Sequence, residues 1–159
     1  LHGGANEQVI HMLKNIGDVD KVRPYVEDLI ARKQKIMGIG HRIYRVKDPR
    51  ALVLQELAKI AIAKRGGDPL LGIAQEVETI VAEHLSAKRI APNVDFYSGV
   101  LYQAMGIPTA LFTPMFAIAR VSGWLAHWLE QLKDNRIFRP DQIYTGGHDV
   151  PFIPMEERV

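Results

Sequence analysis

A chain of 159 residues and 17.9 kDa is long enough for one domain with a core and too short for two large ones. Its 20 Lys plus Arg against 18 Asp plus Glu leave a formal net charge of +2, so the pI of about 8.9 reflects a small imbalance and not the clustered basic stripe of a nucleic-acid binder. The lack of cysteine excludes a disulfide scaffold, a Cys-ligated zinc site and a thiol nucleophile, and no apolar run reaches the roughly eighteen residues of a transmembrane helix.

The chain opens on Leu1-His2-Gly3-Gly4, which is not a signal peptide, and Leu1 stands where an initiator Met would. The expectation is a piece of a longer protein, with any targeting information outside it. The dominant period is helical. Residues 5–16 carry Val9, Ile10, Leu13 and Ile16 on one face, with Gly17 as the stop. Residues 20–34 carry Val22, Tyr25, Val26, Leu29 and Ile30, with Pro24 early enough to be tolerated. Residues 36–41 read as a glycine-punctuated loop. Asp48-Pro49 then starts a helix by an N-cap and a first-position proline, and it runs to about residue 65 before Gly66-Gly67. Asp68-Pro69 repeats the signal for a helix reaching about residue 88, and Pro92-Asn93 begins another that Gly106 ends. Pro108 opens a long apolar stretch to about residue 132. Beyond Asn135 the period is lost among Pro140, Gly146, Gly147, Pro151 and Pro154, which reads as an extended tail. Residues 42–46 and 142–144 are the only strand candidates, so the fold class is mostly α.

Six histidines are present, and none has the spacing of a metal site, so no metal is expected. His11, His84 and His127 fall inside helical segments and read as surface or satisfied core side chains; His148 lies in the tail. His2 and His41 differ, because each adjoins a glycine pair that lets backbone approach a ligand closely. The pair Gly38-x-Gly40 fails as a dinucleotide fingerprint, since position 43 is Ile and no strand clearly precedes it. Asp95 sits in a first helical turn, either as a partner of the helix dipole or as a general base. The helix end would lower its pKa and desolvation would raise it. Arg50 occupies a first helical turn, where a cation is mildly disfavoured, and Arg120 interrupts an apolar helix, where a buried guanidinium would need a partner. With Arg139 in the tail, these side chains point to an anionic ligand, since guanidinium grips carboxylates bidentately.

Taken together the pieces resemble the citrate synthase family. The matching stretches are Leu1-His2-Gly3-Gly4-Ala5-Asn6-Glu7, Gly38-Ile39-Gly40-His41-Arg42-Ile43-Tyr44, Asp48-Pro49-Arg50-Ala51 and Pro92-Asn93-Val94-Asp95-Phe96-Tyr97-Ser98-Gly99, followed by Phe116-Ala117-Ile118-Ala119-Arg120 and Arg139-Pro140. The resemblance implies a multi-helical fold, with residues 4–107 as the small, CoA-binding domain and residues 1–3 and 108–159 as C-terminal parts of the large one. It implies condensation of acetyl-CoA with oxaloacetate, a step of the tricarboxylic acid cycle, by a transferase that converts the acyl group to an alkyl group on transfer. Asp95 would take the methyl proton, His2 would stabilise the enol or enolate, and His41 would polarise and protonate the ketone. Arg50, Arg120 and Arg139 would clamp carboxylates beside Phe116, with His2 and His41 in the same oxaloacetate and citrate site. Ile36, Met37, Gly38, Ile39 and Gly40 would meet the adenine of CoA, Arg45 a CoA phosphate, and Asn93 the same ligand. No separate cofactor is implied, because the acyl-CoA is a substrate. Arg139 would reach the partner's site in a homodimer. Neither nucleic acid nor membrane is expected as a partner, and the expected compartment is the cytoplasm.

Three alternatives stand beside this. A 2-methylcitrate synthase would share His2, His41 and Asp95 and take propionyl-CoA, a difference of one methylene worth about 1–3 kcal/mol. The C-terminal module of ATP-citrate lyase is a second relative. A non-catalytic helical interaction module would rest on the apolar segment holding Trp124 and Trp128, a pair that reads first as core or dimer packing. The chain alone is expected to be nearly inactive, because further ligands for the four-carbon acid would lie outside it.

Overall fold

The computed structural model describes residues 4–158. Among the described residues there are six α-helices: α1 (Ala5–Ile16), α2 (Val22–Ala31), α3 (Pro49–Lys64), α4 (Pro69–Leu85), α5 (Val94–Ala104) and α6 (Phe112–Lys133). The expected starts of α3, α4 and α5 follow from local chemistry. Asp48 accepts from the Arg50 N–H, Asp68 from Leu70 and Asn93 from Asp95, each bond filling an orphan donor of a first turn at 2.9 Å. Gly17 and Gly106 close α1 and α5 with positive φ. The second segment departs from expectation: a single 3₁₀ turn over Val19–Lys21, capped by Asp18, precedes α2, and the helix ends before Lys33 takes a left-handed φ of 54°. Residues 42–46 and 142–144 are not strands. Among the described residues pairing is limited to one antiparallel bridge between Ile39 and Pro92.

The chain divides into two compact units, Leu1–Trp124 and Leu125–Val159. In the first, α5 packs against α1 and α3, while α2 lies along α4. The core gathers Ile10 and Leu13 of α1, Ile73 and Val77 of α4, and Phe96 and Tyr97 of α5. Two glycines let this layer close. A Cβ on Gly99 would stand 2.7 Å from the Asn6 carbonyl oxygen, so α5 meets the α1 backbone there. A Cβ on Gly38 would stand 2.7 Å from Val9 Cγ2 and 2.9 Å from Phe96 Cα, which seats the loop before His41 directly on α1 and α5.

The second unit holds the end of α6, one 3₁₀ turn over Met155–Glu157 and otherwise irregular, exposed chain. Trp124 and Trp128 are 56% and 57% exposed, so within this chain they are surface and not core. No helix among the described residues is long and apolar enough to cross a membrane.

Candidate functional site

The site is built where the 36–41 loop crosses the start of α5. The Gly40 N–H donates to the Ala91 carbonyl at 2.8 Å and the Asn93 N–H to the Gly38 carbonyl at 2.9 Å. The Asn93 side chain works at both ends: its Oδ1 accepts from the Asp95 N–H and its Nδ2 donates to the Gly40 carbonyl at 2.8 Å. One amide thus ties the loop that ends in His41 to the turn that begins with Asp95.

His41 is half-buried, and its ring lies 4.6 Å from that of Tyr44. Its Nδ1 accepts from the backbone N–H groups of Ile43 and Tyr44, both at 3.0 Å. An imidazole nitrogen that receives two N–H donors carries no proton of its own. Neutral His41 therefore holds its proton on Nε2 and can donate from there. Asp95 is half-buried in the first turn of α5; the Arg50 guanidinium is held protonated chiefly by its bond to Asp48, and the Asp95 charge adds a smaller effect in the same direction.

Arg50 projects from the first turn of α3 with a partner the sequence reading did not supply. Its Nε donates to Asp48 Oδ1 at 3.0 Å and its Nη2 to Asp48 Oδ2 at 2.7 Å. The buried Asp48 carboxyl lies below its usual pKa because the Arg50 side chain bonds it, against the opposing effect of burial. This side-on grip spends the Nε edge of the guanidinium and leaves Nη1, with the second Nη2 hydrogen, to bind another anion. Arg120, expected to be buried and in need of a partner, is exposed on α6, its guanidinium 5.1 Å from the centre of the Phe116 ring.

His41, Arg50, Asn93, Asp95, Phe116 and Arg120 line one cavity of about 550 Å³. That volume suits a small molecule, and the guanidinium groups of Arg50, Arg120 and Arg42, which also lines it, favour an anionic one. Gly40 lines the same cavity, and the other expected residues lie elsewhere. Ile36 and Ile39 line a separate cavity of about 250 Å³, rimmed by Lys33, Lys35 and Lys88. Arg45 lines another of about 310 Å³ with Lys47 and Arg89. Met37 packs on the core, and Gly38 is buried in the loop contact described above. Arg139 is exposed in the second unit. His2 lies outside the described residues. Among the described residues no group of His, Asp and Glu side chains is arranged to hold a metal ion.

The sequence reading took Asp48 for a helix cap and missed its hold on Arg50. The signal was present: a cation in the unfavourable first turn, two residues after an acid.

Comparison with known proteins decides the family. The model of the citrate synthase C-terminal domain matches residues 1–141, which include every residue lining the 550 Å³ cavity. The chain belongs to the citrate synthase family. It is 60% identical over its whole length to a citrate synthase of Synechocystis, of which it covers 40%. The citrate synthase of Thermotoga maritima superposes with a TM-score of 0.80 at 43% identity, over 99% of this chain and 43% of that one. The enzyme of Thermoplasma acidophilum does so with a TM-score of 0.83 at 34% identity and with the same two coverages, and that structure is a ternary complex with carboxymethyl coenzyme A and oxaloacetate. The mostly helical fold is therefore that of citrate synthases. The chain spans less than half the length of these relatives.

Proposed function

We propose that the full-length protein containing this chain is a citrate synthase that condenses acetyl-CoA with oxaloacetate. The observation that carries this reading is the meeting of His41, Arg50, Asp95, Phe116 and Arg120 in one cavity, with His41 Nδ1 taking two backbone N–H donors. The oxaloacetate and carboxymethyl coenzyme A bound by the Thermoplasma acidophilum relative support the same pair of substrate classes.

In this reaction the Asp95 carboxylate takes a methyl proton from acetyl-CoA. His2 donates a hydrogen bond to the thioester oxygen as negative charge develops there. The methyl carbon bonds to the ketone carbon of oxaloacetate as the ketone π bond opens onto oxygen, the oxygen takes the proton of His41 Nε2, and the proton that Asp95 removed restores His41 by exchange through water before the next turnover. Water then attacks the citryl thioester, the carbon–sulfur bond breaks, and citrate and CoA leave. Arg50, through its free Nη1 edge, and Arg120 hold the carboxylates beside Phe116. Arg139 supplies a further clamp across a homodimer. CoA lies along residues 36–40, with Arg45 and Asn93 as further contacts; the lysines at 33, 35 and 88 place positive charge beside that path. Residues 4–107 form the small domain and residues 1–3 and 108–159 parts of the large one, so closure of the small domain would exclude water around His41 and Asp95. The cytoplasm is the proposed compartment.

Thiol release by the full-length protein with oxaloacetate tests the reading. Acetyl-CoA is expected to be the better substrate, and this chain alone is expected to release no thiol. A preference for propionyl-CoA would keep the mechanism and make the protein a 2-methylcitrate synthase. Release from neither would refute the proposal and favour a non-catalytic helical module.

A further inference from the structure

Beneath the loop that carries His41 and Arg45 lies a second polar cluster, outside the 550 Å³ cavity, with Lys47 and Glu78 on the wall of the 310 Å³ one. Lys47 Nζ donates to Gln55 Oε1 of α3 at 2.7 Å and pairs with the Glu78 carboxylate of α4. Gln55 Nε2 donates to Glu78 Oε2 at 3.2 Å and to Tyr97 Oη of α5 at 2.8 Å. Tyr97 Oη donates to the same Glu78 oxygen, and the Lys47 ammonium stands 5.1 Å from the Tyr97 ring centre. The side chains of Lys47 and Glu78 are only 21% and 20% exposed, and Tyr97 is fully buried. Burial, with Glu78 second, holds the Tyr97 phenol well above its ordinary pKa, so it remains a donor.

The cluster matters because of what the loop lacks elsewhere. Among the described residues, His41 Nδ1 is bonded only by N–H groups of its own loop. Among the described residues, the hydrogen bonds and ion pairs from residues 41–47 to another element all come from Lys47. Residues 42–46 are exposed. Tyr97, at the far end of the cluster, is two residues beyond Asp95 on α5. The same four side chains therefore hold the loop of the proposed proton donor to the helix of the proposed base.

We propose that Lys47, with Glu78, Gln55 and Tyr97, is a positioning clasp that fixes the His41 loop relative to Asp95. None of the four touches the reacting atoms. The clasp rests on the reaction proposed above: it sets how well His41 Nε2 is aligned when the new bond closes. A misplacement on the order of 1 Å can lower a rate about a hundredfold.

The test uses the full-length protein with Lys47→Met, Glu78→Gln and Lys47→Arg. Lys47→Met is expected to lower kcat for thiol release about tenfold to a hundredfold with KM for oxaloacetate little changed, because Arg50 and Arg120 are untouched. Glu78→Gln should have a smaller effect in the same direction, and Lys47→Arg should restore most of the rate. Limited trypsin digestion reads the loop without any activity. Cleavage after Arg42 and Arg45 should accelerate in Lys47→Met and Glu78→Gln at temperatures well below their unfolding midpoints, and return toward the unmodified rate in Lys47→Arg. Unchanged cleavage with unchanged kcat would overturn the clasp. So would a KM rise with kcat preserved. If Lys47→Met does not fold, Glu78→Gln and Lys47→Arg decide by the same two readouts. An unmodified protein that releases no thiol would refute the proposed reaction, and the clasp would then stand or fall on loop cleavage alone.

Discussion

Asp95→Asn in the full-length protein is expected to lower kcat for thiol release from acetyl-CoA by about a thousandfold, within the range that a positioned general base contributes. The substitution keeps the shape of the side chain and the backbone N–H that caps onto Asn93 Oδ1, so α5 should start as before. The carboxylate is what disappears. Its loss also removes a negative charge acting on Arg50, so oxaloacetate should bind at least as tightly as to the unmodified protein. Steady-state thiol release and calorimetric binding of oxaloacetate separate the two effects. A fall in kcat of less than about tenfold would assign the proton transfer to another group.

Gly38→Ala is expected to be the most damaging single methyl in the loop. Gly38 has a φ of 75°, and an added Cβ would meet Val9 Cγ2 and the Cα and Cβ of Phe96 at under 3.0 Å. Two of those three atoms belong to or adjoin the backbone of a packed helix and cannot swing aside. The left-handed conformation and the overpacking together cost about 2–4 kcal/mol. Gly67→Ala is the control: φ there is 101°, but nothing lies within 4 Å of the new Cβ. Only the backbone cost of about 1 kcal/mol should appear. Urea unfolding of the full-length variants measures both. Equal losses at the two glycines would mean that the loop is not seated on α1 and α5 as described.

What was legible in the sequence was local. Asp48-Pro49, Asp68-Pro69 and Asn93 each satisfy donors within their own first turn, so chain order alone announces three helix starts. The ordered run of motifs also pointed to the family, and four of the motif stretches, at Gly38–Tyr44, Asp48–Ala51, Pro92–Gly99 and Phe116–Arg120, each contribute residues to the one cavity. The pairings across elements were not legible. Glu78 and Tyr97 are ordinary residues of helical segments until α4 and α5 pack side by side. The Asp48 hold on Arg50 depends on two rotamers and not on spacing alone. The proton on His41 Nε2 follows from backbone N–H directions in a loop without regular structure. The exposure of Arg120, Trp124 and Trp128 ran against an apolar pattern that would ordinarily mark core, since an apolar period shows which face seeks cover and not whether this stretch of chain supplies it.

In the proposed reaction, the cavity between His41, Arg50, Asp95 and Arg120 is where the oxaloacetate ketone is activated. The structure of the full-length protein with oxaloacetate bound tests it most directly. The expected result places the ketone oxygen within hydrogen-bond reach of His41 Nε2, with a carboxylate on the free edge of Arg50 and the Arg50 Nε still on Asp48. Oxaloacetate bound away from this cavity, or seated in it with no contact to His41 Nε2, would contradict the account.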